Sequence, residues 1–191
     1  MSKFKITKTK IPNVLVIEPK IFQDERGFFL ESYNFRDFEE LGIKKTFVQD
    51  NQSFSKKGVL RGLHFQTVSP QGKLVRVVIG KVFDVAVDLR RNSPTFGEYF
   101  GIILSSDNFK MLYIPEGFAH GFLGLTDVQF QYKVTNYYLP KYDSGLIWND
   151  LDIDIKWPFD EFNIKNPIIS SKDRNLPKLS EFETPFIFKK V

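Results

Sequence analysis

Two histidines and an arginine mark where this sequence could transfer protons or bind an anion. The chain has 191 residues with no cysteine and only two histidines, so thiolate chemistry and disulfide bonds are excluded. His64 lies close to Arg61 in the run LRGLHFQ, and His120 lies in IPEGFAHGF. An imidazole exchanges protons near neutral pH, and a guanidinium can bind two phosphate oxygens at once. LRGLHFQ therefore combines a candidate general base with a candidate anion-binding group.

Whether Arg61 and His64 serve one pocket depends on the backbone between them. In a regular strand, alternation places His64 and Gln66 on the face opposite Arg61. Gly62 lies between the two and is the natural position for a bulge that re-aims the strand. The spacing leaves both arrangements open. Taken alone, His64 is more often a partly buried histidine satisfied by hydrogen bonds.

Two further runs add a lysine and two tyrosines to the candidates. Lys73 begins an otherwise apolar face of a predicted strand, so its ammonium either reaches the rim or is aimed at a ligand. In the strand predicted from Val128 and continued to Tyr138, alternation places Tyr132 and Tyr138 on the same face. A metal is not expected, because two histidines without an HxH pair leave only a two-histidine, one-carboxylate site.

Many short strands must position these side chains. β-Branched and aromatic residues recur in short runs separated by Gly, Pro, Asn and Asp, which is typical of strands. The ten predicted strands are Val14–Glu18, Gly27–Ser32, Phe47–Ser53, Val59–Gln66, Lys73–Ile79, Val82–Leu89, Tyr99–Leu104, Met111–Ile114, Ala119–Leu125 and Val128–Asn136. This pattern predicts an all-β, double-sheet jelly roll, a cupin-like barrel whose mouth can hold a small ligand.

Helices are few and short in this prediction. Asn34–Leu41 has apolar residues at helical spacing, with Asn34 and Gly42 as caps. A second helix near Ser170–Phe182 is broken by Pro177. The length and the 42% hydrophobic content predict a single domain over residues 1–191, with a looser C-terminal tail from about residue 158.

Composition also limits the expected partners and location. The net charge is +4, but the lysines are dispersed, which is typical of a solvated surface rather than a nucleic-acid site. The N-terminus lacks the apolar core of a signal peptide, and no stretch approaches the roughly 18 uncharged residues of a membrane helix. We therefore expect a soluble, cytoplasmic protein that binds neither nucleic acid nor membrane.

Six motifs in order carry a resemblance to a known enzyme family. They are DERGFFLESYN, QDNQSFSKKGVLRGLHFQ, QGKLVRVVIGKVFDVAVDLRRNSPTFG, YIPEGFAHGF, YKVTNYYLP and GLIWNDLDIDIKWP. From about Ile11 to Asp173 the chain resembles the dTDP-4-dehydrorhamnose 3,5-epimerase family. The resemblance implies a cupin-class jelly roll that uses no metal or cofactor. It implies inversion of carbon 3 and carbon 5 of a dTDP-linked 4-keto-6-deoxy sugar, which would supply rhamnose for a cell-surface polysaccharide.

The resemblance also implies roles for individual residues. His64 would be the base, Asp173 would orient it, Lys73 would stabilise the enolate and Tyr132 would be the acid. Substrate contacts are implied for Arg26, Glu31, Gln49, Asn51, Arg61, His120, Tyr138, Asp143 and Lys172. Tyr138 would stack on thymine. Asp143 stands where a glutamate is expected, which leaves the nucleotide preference open.

The family further implies a homodimer that exchanges its N-terminal strands, so that Arg26 and Glu31 reach the partner's site.

The sequence leaves three alternative functions open. A mono-epimerase would invert only one of the two carbons, and a nucleotide-sugar 3,4-ketoisomerase would not need Lys73 and Tyr132 together. A sugar-binding jelly roll would perform no chemistry.

Overall fold

Short strands account for most of the regular structure, separated by turns rich in Gly, Pro, Asn and Asp. The computed structural model describes residues 3–190. Within that range the strands are β1 (Phe4–Lys8), β2 (Leu15–Pro19), β3 (Ile21–Asp24), β4 (Gly27–Leu30), β5 (Gln49–Ser55), β6 (Val59–Gln66), β7 (Lys73–Ile79), β8 (Lys81–Asp88), β9 (Tyr99–Ser105), β10 (Met111–Ile114), β11 (Phe118–Gly124), β12 (Val128–Val134), β13 (Asp143–Gly145) and β14 (Ile168–Ile169). The helices there are α1 (Phe35–Glu40) and α2 (Ser171–Arg174), besides two 3₁₀ turns.

Two sheets pack face to face around the core. The first has the strand order β1-β2-β10-β7-β12-β5 and the second the order β13-β6-β11-β8-β9, with β14 parallel to β6. The hairpin β3-β4 lies outside both sheets. Phe130 of the first sheet packs on Phe122 of the second, with ring centroids 4.5 Å apart. The predicted all-β jelly roll with short flanking helices is confirmed.

The observed strands follow the predicted runs closely. Three have the predicted bounds, and the other seven differ by one or two residues at their ends. The predicted continuation of β12 to Asn136 is wrong, because both neighbouring strands begin opposite Val134, and beyond it a single backbone bond from Thr135 to Gly72 replaces the ladder. The sequence did not predict four short strands: β1, β3, β13 and β14. β1 carries two lysines in five residues and forms a sheet edge, where lysines discourage further pairing.

The helices begin and end where capping residues stand. The Asn34 side chain accepts the backbone N–H groups of Arg36 and Asp37, and Gly42 takes the positive φ of +91° that ends α1. Ser170 caps α2, and Pro177 separates it from the 3₁₀ turn Leu179–Glu181. Among residues 3–190 no helix has the length and apolar content to cross a membrane. A single domain with a looser tail stays a prediction.

A buried ion pair at the end of β8 should contribute strongly to stability. Asp88 is fully buried, and its carboxylate accepts hydrogen bonds from Arg90 Nη2 at 2.7 Å and Ser93 Oγ at 2.6 Å. We expect Asp88→Ala to lower the free energy of unfolding by about 3–5 kcal/mol, because Arg90 would stay buried without a counterion. Urea denaturation measures this. As a control, Glu18→Ala, which removes an exposed pair, should have a much smaller effect.

The same contribution should fade in acid. Burial alone would raise the pKa of Asp88, but hydrogen bonds from Arg90 and Ser93 outweigh burial and lower it. Such a carboxylate stabilises the fold fully above its unfolded pKa of about 3.9, and the contribution is lost as the pH falls through the folded pKa. The difference between wild type and Asp88→Ala should therefore narrow below about pH 4. A difference that stays constant down to low pH would contradict this account of the pair.

Candidate active site

A cavity of about 630 Å³ opens between the two sheets. The second sheet contributes His64 on β6 and His120 on β11, whereas the first contributes Lys73 on β7 and Tyr132 on β12. Their strands therefore place a histidine pair opposite a lysine and a tyrosine. A partly apolar cavity with a few converging polar groups is the usual form of a small-molecule site.

Gly62 lets β6 present both Arg61 and His64 to this cavity. His120 pairs with His64 and Phe122 with Arg61, so two residues of β6 oppose the single residue Gly121. This is the bulge that the sequence suggests. Gly62 has a φ of +124°, and a Cβ there would come within 2.6 Å of the Gly121 Cα. Because a larger residue cannot fit, both side chains line the cavity only with glycine at this position.

His64 and Asp173 form a hydrogen-bonded dyad across 109 residues of sequence. The Nε2–Oδ1 distance is 2.8 Å, and the second carboxylate oxygen accepts the Gly62 N–H at 3.2 Å. Burial acts to raise the pKa of Asp173, but the hydrogen bonds from His64 and Gly62 outweigh it and hold that pKa below its usual range. Asp173 therefore stays ionised beside the imidazole. Nδ1 is the His64 nitrogen that Asp173 does not engage.

Lys73 is a buried cation beside the dyad. Its ammonium donates to the backbone carbonyl of His64 at 3.3 Å, and only 8% of the residue is exposed. Burial lowers its pKa from 10.5 to about 8, although the charges of Asp84 and Asp143 act to raise it. Of the two sequence interpretations, the structure favours a lysine aimed into the cavity over one at the rim.

Tyr132 reaches the cavity from the sheet opposite His64. It is partly buried and packs against Phe130, with ring centroids 6.2 Å apart. Burial raises the pKa of its phenol, with the Arg61 charge opposing the shift and the Asp143 charge adding to it. The phenol is therefore protonated at neutral pH and can donate a proton.

His120 has an aspartate partner that the sequence reasoning missed. The distance from His120 Nε2 to Asp84 Oδ1 is 2.9 Å, and Asp84 is fully buried. Burial lowers the pKa of His120 and raises that of Asp84, while their mutual attraction opposes both shifts. The signal lay in KVFDVAVD, where alternation puts Asp84 on the core face with Val82 and Ala86.

Three predicted binding residues meet at the mouth of the cavity. The Asp143 carboxylate accepts a hydrogen bond from the Tyr138 hydroxyl at 3.0 Å and forms an ion pair with Lys172. The Tyr138 side chain is half exposed, and its backbone N–H donates to Gln49 Oε1 at 3.2 Å. Tyr138 thus lines the entrance with about half of its surface exposed to solvent.

Three more predicted binding residues lie near the mouth of the cavity: Arg61, Gln49 and Asn51. Arg61 Nε donates to Ser55 Oγ at 3.1 Å, and its side chain lines the cavity. Gln49 Nε2 donates to Asn51 Oδ1 at 2.8 Å on β5, and Asn51 pairs with Tyr132 of β12. Both amides therefore lie on the strand next to the tyrosine.

Four predicted binding residues do not line the cavity of their own chain: Gln49 and Asn51 lie on β5 next to the strand of Tyr132, and Arg26 and Glu31 lie elsewhere. Arg26 lies at the tip of the hairpin β3-β4, paired with Asp24 at 2.6 Å, and Glu31 is paired with Lys3. Their predicted contact with substrate stays a prediction, and it requires a second chain. Across residues 3–190 the structure contains no cluster of three His, Asp or Glu side chains suited to a metal ion.

Comparisons with known proteins agree over nearly the whole chain. The sequence profile of the dTDP-4-dehydrorhamnose 3,5-epimerase family matches residues 8–181. The dTDP-4-dehydrorhamnose 3,5-epimerase of Salmonella typhimurium is 56% identical over 179 residues, covering 92% of this chain and 96% of that protein. The enzyme of that name from Methanothermobacter thermautotrophicus is 53% identical, covering 95% and 97%.

A solved structure extends this similarity to three dimensions. It is dTDP-6-deoxy-D-glucose-3,5-epimerase from Legionella pneumophila in complex with dTDP-4-keto-L-rhamnose. It matches with a TM-score of 0.90 at 47% identity, covering 94% of this chain and 95% of that one. The residues matched by the family profile include every residue that lines the cavity.

Proposed function

The chain belongs to the dTDP-4-dehydrorhamnose 3,5-epimerase family and is an isomerase, and from that premise we propose its substrate, product and mechanism. It converts dTDP-4-dehydro-6-deoxy-D-glucose to dTDP-4-dehydro-L-rhamnose by inverting carbon 3 and carbon 5. One observation carries the proposal: His64, held by Asp173 of α2, and Tyr132 enter one cavity from opposite sheets. Inversion needs proton removal on one face of a carbon and proton delivery on the other.

His64 removes the proton in this mechanism. Both carbons flank the ketone at carbon 4, so loss of either proton gives an enolate with its charge on the same oxygen. His64 Nδ1 accepts the proton, while ionised Asp173 holds Nε2 and stabilises the imidazolium that forms. Tyr132 then donates its phenolic proton to the opposite face of the carbon. Exchange with solvent water removes the proton from His64 and reprotonates Tyr132 before the second carbon reacts.

Lys73 stabilises the enolate oxygen, because a buried ammonium is a strong electrostatic partner for developing charge. We expect Lys73→Met to lower kcat by about 10²–10³-fold. A steady-state assay measures kcat, with dTDP affinity and thermal unfolding as controls for binding and folding. Wild-type kcat in a folded Lys73→Met protein would remove Lys73 from the mechanism.

The charge of Lys73 also predicts an alkaline limit on activity. Its pKa is about 8, so the ammonium is charged below that pH and is neutral above it. kcat/KM should therefore fall as the pH rises through about 8, since this ratio reports ionisations of the free enzyme. The residual activity of Lys73→Met should lack this limb. A limb that persists in the variant would assign it to another group.

Residues at the mouth of the cavity bind the nucleotide. Arg61 and Lys172 supply positive charge for the diphosphate, and Tyr138 offers a ring for stacking on the thymine. His120, Gln49 and Asn51 contact the sugar or nucleotide. The Asp143 carboxylate, which pairs with Lys172 and Tyr138, helps to fix the geometry of the entrance.

A homodimer would complete the site. The hairpin β3-β4 exposes Phe22, Phe28 and Phe29 to the extent of 43%, 59% and 66%, and such a surface calls for a partner. Arg26 and Glu31 would then reach the partner's cavity through exchanged N-terminal strands. Mixing Arg26→Ala with His64→Asn chains tests this, because a mixed dimer holds one site in which both residues are intact. Failure of the mixture to regain activity would contradict shared sites.

Product stereochemistry tests the proposed reaction. Proton NMR coupling constants of the product distinguish inversion at both carbons from inversion at one. Inversion at both is the expected result, whereas a product inverted at only one carbon would identify a mono-epimerase. A product with its ketone moved to carbon 3 would identify a ketoisomerase.

A further inference from the structure

We propose that Asp84 is a positioning residue for this reaction: its buried carboxylate fixes the ring of His120 and sustains the positive charge of Lys73 at the floor of the cavity. The inference rests on the proposed function. Asp84 lies on β8 and faces the core between the two sheets. It does not line the cavity itself but contacts His120, which does.

This carboxylate has a high energetic cost. Asp84 Oδ1 has His120 Nε2 at 2.9 Å, but Oδ2 is buried and has no hydrogen-bond partner within residues 3–190. Val82 and Ala86, its neighbours on the same face, are fully buried and apolar. A buried carboxylate with an unsatisfied oxygen destabilises a fold. A group of this kind is usually retained for what it does in a site.

Charged and titratable groups from five strands surround the same part of the cavity. Lys73 enters from β7, His120 from β11, His64 from β6, Tyr132 from β12 and Asp143 from β13. Of these, His120 and Lys73 are the groups whose charges act on Asp84. The Asp84 carboxylate supplies the negative charge that opposes the effect of burial on the Lys73 ammonium.

The His120 ring is held on two sides. With Nε2 held by Asp84, only Nδ1 of His120 is left for the sugar. The ring also stacks on Phe130, at 6.1 Å between centroids and 19° between planes. One hydrogen bond and one stacking contact thus fix both the rotation and the tautomer of the imidazole, as carboxylates do for ligating histidines.

Asp84→Asn tests the proposal because it keeps the shape of the side chain and removes the charge. We expect kcat to fall by about 10–100-fold, the range for loss of the carboxylate partner of a metal-ligating histidine, with KM near the wild-type value. The alkaline limb of kcat/KM should move below its wild-type position near pH 8, because Lys73 loses a stabilising charge. A purely structural aspartate would not move that limb.

Asp88→Asn is the matched control, since Asp88 is equally buried on the same strand but pairs with Arg90, which does not line the cavity. It should lower stability and leave the alkaline limb in place. An Asp84→Asn enzyme with wild-type kcat and an unmoved limb would overturn the proposal. If wild type itself does not convert the sugar, the proposed function fails instead, so the two failures are distinguishable.

A second measurement observes His120 in the wild-type protein, with Asp84 in place. The chain has only two histidines, so ¹⁵N-histidine NMR of the wild-type protein is readily assigned with His64→Asn as reference. We expect His120 to carry its proton on Nε2, facing Asp84, throughout neutral pH. A neutral His120 protonated on Nδ1 with a bare Nε2 would contradict a ring held by an Asp84 carboxylate.

Discussion

His64→Asn should lower kcat by about 10²–10⁴-fold, the range expected when a general base is removed. Asparagine can keep a hydrogen bond to Asp173, but its amide cannot accept a proton from carbon at neutral pH. The loss should fall on kcat rather than KM, because the groups at the mouth of the cavity are unchanged. Steady-state kinetics on the dTDP-sugar measures both constants.

Two comparisons separate lost chemistry from lost structure in His64→Asn. The affinity for dTDP and the thermal unfolding midpoint should stay close to those of wild type. Asp173→Asn should also lower kcat with the base still present, because the amide cannot stabilise the imidazolium. A His64→Asn enzyme that turns over at the wild-type rate would exclude His64 as the base.

Tyr132→Phe should separate proton removal from inversion. The substitution deletes only the hydroxyl, so His64 can still take a proton and return one to the same face. We expect product formation to fall by about 10²–10⁴-fold, the range for a missing general acid. In deuterated water the unconverted substrate should nevertheless gain deuterium next to the ketone, with its configuration retained.

Two outcomes for Tyr132→Phe would contradict this assignment. Unchanged turnover would favour a 3,4-ketoisomerase type of reaction, which does not need the tyrosine. Loss of deuterium exchange together with turnover, in a protein that still binds dTDP, would mean that Tyr132 takes part in proton removal. The proposed division of roles between the two sheets predicts neither result.

The sequence predicted the architecture well because short runs of β-branched and aromatic residues between turn residues mark most of the strands. Runs such as Val59–Gln66 and Lys73–Ile79 are rich in apolar and β-branched residues and are flanked by turn residues, so their bounds were correct. β14 has two residues and pairs in parallel with β6 across more than 100 positions of sequence, which no local pattern reveals. The end of β12 is likewise set by its neighbours rather than by its own residues.

The site was less accessible to local reasoning. Gly62 could be identified as a bulge because a glycine inside a strand pattern typically marks a bulge or a close approach of two backbones. The proximity of Asp173 to His64 followed only from the family resemblance, since 109 residues separate them. The sequence analysis did not identify Asp84, because its contact with His120 depends on the tertiary structure. A carboxylate on the apolar face of a strand could have indicated it.

Deuterium incorporation tests the central claim most directly. Wild-type enzyme and His64→Asn are each incubated with dTDP-4-dehydro-6-deoxy-D-glucose in deuterated water, and proton NMR follows carbon 3 and carbon 5. We predict that wild type introduces deuterium at both carbons with inversion, and that His64→Asn introduces it at both carbons at least about 10²-fold more slowly. Equal incorporation by both proteins, or none by wild type, would contradict a His64-dependent 3,5-epimerase.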